Sequence, residues 1–563
     1  MISVLATNIT SPLGFTTDDN YRAVREYRSR LERYDSWRGI PESFVASMFD
    51  AEQRAALAIG GYTLFEAMVI RSVADALARC EVDVESLRTV FILSSTKGNV
   101  DELSGDEAAS SAYLPLGHTA RKIADYFGFK SEPIVVCNAC ISGVDAQVLA
   151  QRLLLCGEYD TAIVCGADVV TPFVVSGFLS FKSLAIDHCR PFDIERTGLN
   201  LGEAAATVIL ARNADDAEWQ LCAGYMSNDA YHLSAPAPDG RGLHVAISKA
   251  LEGVDIEDLA LINAHGTATM FNDQMESKAI ERAALGAVPL SAVKGYYGHT
   301  LGAAGVLESV INMRALDDGI ILGVRGYDEI GVSGKINISG KERTTQKRSF
   351  LKMISGFGGC NGVLLLAKTP SRDSQTTSRV RLQPQRSVHL THDSVVVDGE
   401  ALQITGSGKS LLTDIYKNYV GNYPKFYKMD IFSRLVFLAT ELLVGQDRGA
   451  GSIGQYSIVL FNRSSSIVTD RKHSASIGDA ENFYPSPSLF LYTLPNIALG
   501  EVAIRQECMG ESSLYILAQR DEQLQRQVVE SLATYSACQG IITGWVECSN
   551  EDCFEADLQI LTK

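Results

Sequence analysis

The stretch PIVVCNACISGVDAQVLAQRLLLCGEYDTAIVCGAD, Pro133–Asp168, constrains what this chain can fold into more than any other. Ile134–Val136 is a short β-branched run, Gly143–Leu155 carries apolar residues at helical spacing, and Ala162–Cys165 is strand-like again. Strand, turn, helix and strand in that order belong to an α/β fold with largely buried strands. Further β-rich runs at Ile2–Ala6, Thr89–Ser94, Ala205–Leu210, Leu259–Asn263, Ile336–Ser339 and Val363–Ala367 extend the pattern to about Lys368. Helical spacing recurs between them, as in Asp273–Ala284.

A polar segment, SRDSQTTSRVRLQPQR (Ser371–Arg386), has little to bury and reads as a linker. Apolar patterning returns near Val396 and from Ile431, Tyr456 and Gly540, so a second folded region follows, smaller than the first. The spacing predicts divisions at 1–212, 213–368, a linker at 369–388 and a tail at 389–563. ITGSGKS (Ile404–Ser410) ends like a phosphate-binding loop but has Ile404 where that loop needs glycine, so it reads as a turn entering a helix.

Composition excludes some classes of function. A net charge of −17 opposes phosphate, so nucleic acid is not expected as a partner. No apolar run approaches the roughly 20 residues of a membrane span. MISVLATNITSPLGF does not read as a signal peptide, and 12 cysteines without paired or metal-type spacing point to free thiols in a reducing cytoplasm.

Cys140 falls where strand gives way to helix. Unpaired amides and the positive end of the helix dipole there favour a thiolate. A lone cysteine in such a place is commonly a small buried hydrophobe, and Cys137, Cys156 and Cys165 are left with that reading. The downstream segments set Cys140 apart. INAHGTATMFND (Ile262–Asp273), VKGYYGHTLGAAG (Val293–Gly305) and ISGFGGCNG (Ile354–Gly362) each join an apolar run to a glycine-rich turn with a polar group.

In order and wording, these segments and CRPFDIERTGLNLGEAAA (Cys189–Ala206) resemble the β-ketoacyl-[acyl-carrier-protein] synthases, the ketosynthases that elongate fatty acids and polyketides. The resemblance covers about Met1–Lys368. It implies a thiolase-like α/β fold, two βαβαβαββ halves in five αβαβα layers, and a homodimer or a heterodimer with another ketosynthase-like subunit. It implies Cys140 as acyl nucleophile, His265 and His299 for decarboxylation, Lys294 with its acidic partner Glu308, and an oxyanion hole from the amides of Cys140 and Phe357. Phe357 would also gate acyl against malonyl occupancy, and Thr267 and Thr269 would bind the pantetheine arm of an acyl carrier protein. No metal or redox cofactor is called for. Paired histidines favour an elongating enzyme over a chain-starting one, whose pattern is Cys-His-Asn. A thiolase-type enzyme would need a second reactive cysteine, for which Cys360 is the nearby candidate. Asn138 and Ile141, Cys360, and Ala204 depart from the usual residues, and Ile141 bears on the acyl pocket.

The tail reads as a repeat of the first half. LYTLPNIALGEVAIRQECMGESSLYILAQRDEQLQ aligns with the stretch leading into Cys140, and GIITGWVE with TAIVCGAD. Ala518, Gln519 or Arg520 takes the place of Cys140, with Gln519 the candidate, and no histidine loops follow. This additional half-domain resembles non-catalytic chain-length factors, as in bacterial aryl-polyene and flexirubin pathways. A scaffold without condensing activity is the alternative reading of the whole chain.

Overall fold

The computed structural model describes residues 2–103, 113–212, 214, 217–368, 380–445, 453–478, 483–536 and 538–563. Strand register divides the sheet into three copies of one unit. In the first, the order is Ile134–Val136, Thr89–Ser94, Thr161–Asp168, Ala204–Arg212, Ile2–Thr10; the first three run parallel and the last two join antiparallel. The second repeats those senses with Pro289–Ser291, Leu259–Asn263, Ser349–Gly356, Cys360–Ala367 and Trp219–Asn228. The third repeats them again with Ser512–Ile516, Tyr456–Asn462, Gly540–Asn550, Cys553–Thr562 and Gln383–Thr391.

Central strands buried on both faces need continuous apolar sequence, and Thr89–Ser94 (TVFILS) is buried throughout. Helix Leu64–Leu77 covers the first sheet. Helices Ser142–Leu155 and Ala304–Asp317 pack together between the first and second sheets, and Arg241–Ala250 covers the outer face of the second with Met270–Arg282 beside it. The five layers are those of a thiolase-like α/β fold, with the third unit as an added half.

That unit corrects one expectation. Gln383–Thr391, which overlaps the segment read as a linker at 369–388, is a strand paired with Cys553–Thr562. Its sequence misled because its first residues are exposed. Residues 369–379 lie outside the described residues. Lys409 of ITGSGKS stands in the first turn of helix Gly408–Ile415, which Ser407 caps, as a turn entering a helix should.

The third unit joins the first edge to edge. Ile134–Val136 and Ser512–Ile516 pair antiparallel, with Val136 opposite Tyr515. The Cys137 N–H donates across to the Leu514 carbonyl at 3.1 Å. Slipping the equivalence by one residue would turn the hydrogen-bonding groups of one strand away from the junction. Val136 and Tyr515 are therefore counterparts, and counting onward places Gln519 at the position of Cys140.

Beside this junction, Arg152 forms a bidentate pair with Glu511 at 2.9 and 2.8 Å, and the Tyr515 hydroxyl donates to Asp145 at 3.2 Å. Asn138 Nδ2 donates to Asp145 at 3.0 Å and to the Ser512 carbonyl at 2.9 Å. Cys360 Sγ lies 3.7 Å from both Asn138 Oδ1 and the Ser512 carbonyl. Two of the departures from the family wording, Asn138 and Cys360, thus sit against the third unit. Nothing in the structure explains Ala204, which pairs with Asp168.

Candidate active site

Cys140 stands in a single tight turn, Ala139–Ile141, between strand Ile134–Val136 and helix Ser142–Leu155. Ala139 has φ +48°, a left-handed conformation unusual for a residue with a Cβ. Such a bend lifts the next side chain off the sheet end. Cys140 Sγ and ring nitrogens of His265 and His299 lie within 4.8 Å of one another, and the two imidazoles meet edge to face with centroids 5.0 Å apart. All three line one cavity of about 410 Å³, together with Thr267, Thr269 and Phe357. The Thr267 and Thr269 hydroxyls are 2.9 Å apart.

His299 Nδ1 accepts from the Leu301 N–H at 3.2 Å, which leaves the proton on Nε2. His299 Nε2 and His265 Nδ1 are buried without a hydrogen-bond partner among the described residues. Burial, reinforced by the Lys294 ammonium, holds both imidazoles well below their ordinary range. They are neutral at physiological pH, and the His299 Nε2–H is a donor ready for developing negative charge.

The surroundings of Cys140 work against the expectation of a stabilised thiolate. Burial pushes its thiol up to about 12, and the opposing pull of Lys294 does not overcome it. Desolvation thus opposes the helix terminus at this thiol, which is half-buried and faces the cavity.

Lys294 Nζ donates to the His265 carbonyl at 2.6 Å and to Glu308 at 2.5 Å. Glu308 also pairs with Lys352, a residue the sequence reading missed. Lys352 is fully buried in the apolar strand SFLKMISG, and burial pulls its ammonium down to about 8 against the attraction of Glu308. A lysine inside a strand of that type is itself a signal that an anion waits in the core. Glu276 was missed as well: it accepts the N–H groups of His265 at 2.7 Å and Gly266 at 2.8 Å and so fixes the first histidine loop. Asp168 does the same for the second, accepting the Gly302 N–H at 2.7 Å and that of Thr96 at 3.0 Å.

Gly356 brings the GFGG loop beside Cys140: a Cβ on it would lie 3.4 Å from the Cys140 nitrogen. The Phe357 ring follows, with centroids 5.4 Å from Phe181 and 6.3 Å from Phe178. Ile141 does not line the cavity; it is fully buried in the central apolar cluster. Cys360 does line it, but burial pushes that thiol up to about 12. Gln519 is exposed, outside the cavity.

A condensing acyltransferase is the class of protein that this fold and cavity define. The models for the β-ketoacyl synthase N-terminal and C-terminal domains match residues 3–216 and 221–328. The ketoacyl synthase alpha subunit of the tetracenomycin polyketide synthase of Streptomyces glaucescens is 32% identical over 290 residues, 48% of this chain and 67% of that protein. The 3-oxoacyl-[acyl-carrier-protein] synthase 2 of Rhizobium meliloti is 29% identical over 331 residues, 53% of this chain and 78% of that one. The chain belongs to the β-ketoacyl synthase family.

Among solved structures, a ketosynthase in complex with its chain length factor from Xenorhabdus doucetiae is similar at 28% identity and TM-score 0.58. That match covers 65% of this chain and 97% of the other. A PfaC ketosynthase–chain length factor structure matches 100% of this chain at TM-score 0.80, covering 78% of that chain. At 14% identity it shows a shared fold across the whole length, tail included.

Proposed function

We propose that the chain elongates carrier-bound acyl groups by decarboxylative Claisen condensation. The observation that carries this reading is the convergence of Cys140, His265 and His299 within 4.8 Å in one cavity. Cys140 Sγ attacks the acyl thioester of a carrier protein's phosphopantetheine arm, and its proton leaves with the departing pantetheine thiol. The oxyanion formed in that step is met by the amides of Cys140 and Phe357. Thr267 and Thr269 hold the arm of the incoming malonyl carrier. As carbon dioxide leaves, charge collects on the thioester oxygen, where His265 and His299 stabilise the enolate. The enolate carbon attacks the acyl-cysteine, the Cys140 thiolate departs and takes up a proton, and the β-ketoacyl group stays on the carrier. The charged cluster of Lys294, Glu308 and Lys352 holds the His265 loop, and its lysines reinforce the burial that keeps the imidazoles neutral.

The third unit serves as a built-in second subunit. Supporting this, it pairs with the free edge of Ile134–Val136, where another ketosynthase-like chain would otherwise extend the sheet. The working unit is then one chain, and the tail stands in for a chain-length factor. A pathway in which a ketosynthase works beside a chain length factor is favoured by the likeness to such a complex. Twelve free cysteines fit a reducing cytoplasm.

The test is mass spectrometry of acyl- and malonyl-carrier proteins, with alkyl and aryl acyl groups, after incubation with the purified chain or Cys140→Ala. An elongated β-ketoacyl carrier made only by the parent supports the reading. No product across the panel, with no acyl adduct at Cys140, makes the chain a non-condensing scaffold.

A further inference from the structure

The GFGG loop is gripped from two sides. Gly358 and Gly359 have φ +93° and +75°, so the loop turns through conformations that only glycine adopts cheaply. Its own half holds it by several bonds, three of them short. Gly358 N–H donates to the Leu233 carbonyl at 2.7 Å, Asn228 Nδ2 to the Gly358 carbonyl at 2.9 Å, and Asp229 N–H to the Gly359 carbonyl at 2.7 Å.

The other grip comes from the third unit. Asn496, fully buried just before helix Ile497–Gln506, donates Nδ2 to the Phe357 carbonyl at 2.8 Å. The helix comes close enough that a Cβ on Gly500 would sit 2.9 Å from the Gly358 carbonyl, and one on Gly358 would sit 2.7 Å from Asn496 Nδ2. The third unit also reaches the aromatic surroundings of the gate. The Phe490 ring lies 5.6 Å from Phe178 and 6.3 Å from Phe181, the rings that Phe357 touches. A Cβ on Gly177 would overlap Phe490 at 2.1 Å, so that approach needs glycine.

We propose that Asn496 is a positioning residue for condensation: the C-terminal unit uses its amide to lock the Phe357–Gly358 peptide, keeping the gate shut until Cys140 carries an acyl group. The inference rests on the reading of Phe357 as gate. With the lock removed, the Phe357 ring yields early and a malonyl thioester enters an unacylated site. Decarboxylation there has no acceptor; the enolate takes a proton, and acetyl carrier and carbon dioxide result instead of a β-ketoacyl carrier.

The experiment uses the full chain and its Asn496→Ala and Asn496→Leu variants, the second keeping approximate shape while losing the donor. Mass spectrometry gives the ratio of acetyl carrier to β-ketoacyl carrier from acyl- and malonyl-carrier proteins, and melting temperature is read in parallel. The expected result is a ratio raised about tenfold in both variants, the worth of one hydrogen bond, with little change in melting. A ratio within about twofold of the parent, or a parallel fall of both products with lower melting, overturns the proposal. Phe357→Ala separates the two layers. If it raises the ratio while the Asn496 variants do not, Asn496 alone is misassigned; if it also leaves the ratio unchanged, the gate reading fails and the lock with it.

Discussion

Arg152→Met tests how the third unit is held to the catalytic core. Arg152 lies on the helix that begins beside Cys140, and Glu511 immediately precedes strand Ser512–Ile516 of the third unit. Their side chains are 4% and 2% exposed. Two unit charges about 4 Å apart at an effective dielectric constant of about 20 attract by about 4 kcal/mol. Removing one partner of a buried pair typically costs about 3–5 kcal/mol, since the other charge is left uncompensated. The penalty falls on Glu511, with Asp145 close by and already pushed up to about 7 by burial and by Glu511 itself. Arg152→Met and Glu511→Leu are each expected to destabilise by about 3 kcal/mol, and the double variant to recover most of the loss because an apolar pair has no charge to strand. Urea unfolding of the four proteins gives the coupling energy as a double-mutant cycle. Single costs below about 1 kcal/mol with no coupling would refute the reasoning, showing the junction to be held by strand pairing and apolar contact alone.

Cys140 should react with iodoacetamide slowly at pH 8 and faster as pH rises toward 12, following its raised thiol; Lys294→Met, which removes the cation that lowers it, should slow the reaction further at pH 8. His265 and His299 are depressed below an unfolded value of 6.5, so the unfolded chain binds protons that the folded chain does not, and their stabilisation is lost as pH falls below 6.5. Between pH 6.5 and 5.5 each should account for about 1 kcal/mol, read as the difference in acid sensitivity between the parent and His→Asn variants; equal acid sensitivity would show charged imidazoles. Gln519→Ala should leave elongation rate and product length within about twofold, since surface substitutions far from a site are close to neutral and Gln519 is exposed. A marked change in product length would give Gln519 a role that its position does not suggest.

The buried strands were legible because a strand covered on both faces has one kind of sequence. Leu259–Asn263 was read to the residue. Ile336–Ser339 was read two residues long, since only Asn337 and Ile338 find a ladder partner there. Gln383–Thr391 was lost because its polar start faces solvent. At the site, Cys140 and the histidines were legible through their glycine-rich turns, whereas Lys352 and Glu276 carry no turn wording. The surroundings of the thiol were not legible for a different reason. Helix geometry can be seen in sequence, but the depth of burial that opposes it depends on loops brought from residues 265 to 357. Asn496 has no local signature at all: its importance arises only from the edge pairing of two distant strands.

On the proposed reading, half a ketosynthase-like unit suffices as a partner because of what the catalytic core touches. The contacts named here come from the segment that precedes and forms the edge strand of the third unit: Phe490 at the aromatic cluster, Asn496 and Gly500 at the GFGG loop, and Glu511, Ser512 and Tyr515 at the junction. In the first unit the corresponding stretch leads through helix Leu116–Phe127 into strand Ile134–Val136, ahead of Cys140. These polar and aromatic contacts are therefore encoded upstream of the nucleophile's position, while helix Glu522–Tyr535, downstream of it, adds apolar packing on helix Ser142–Leu155. Strands Tyr456–Asn462, Gly540–Asn550 and Cys553–Thr562 are still needed, because a lone edge strand cannot hold itself flat. The histidine loops of a second unit would add nothing to this junction. The counterpart of Cys140, Gln519, is open to solvent, away from the face that meets the site.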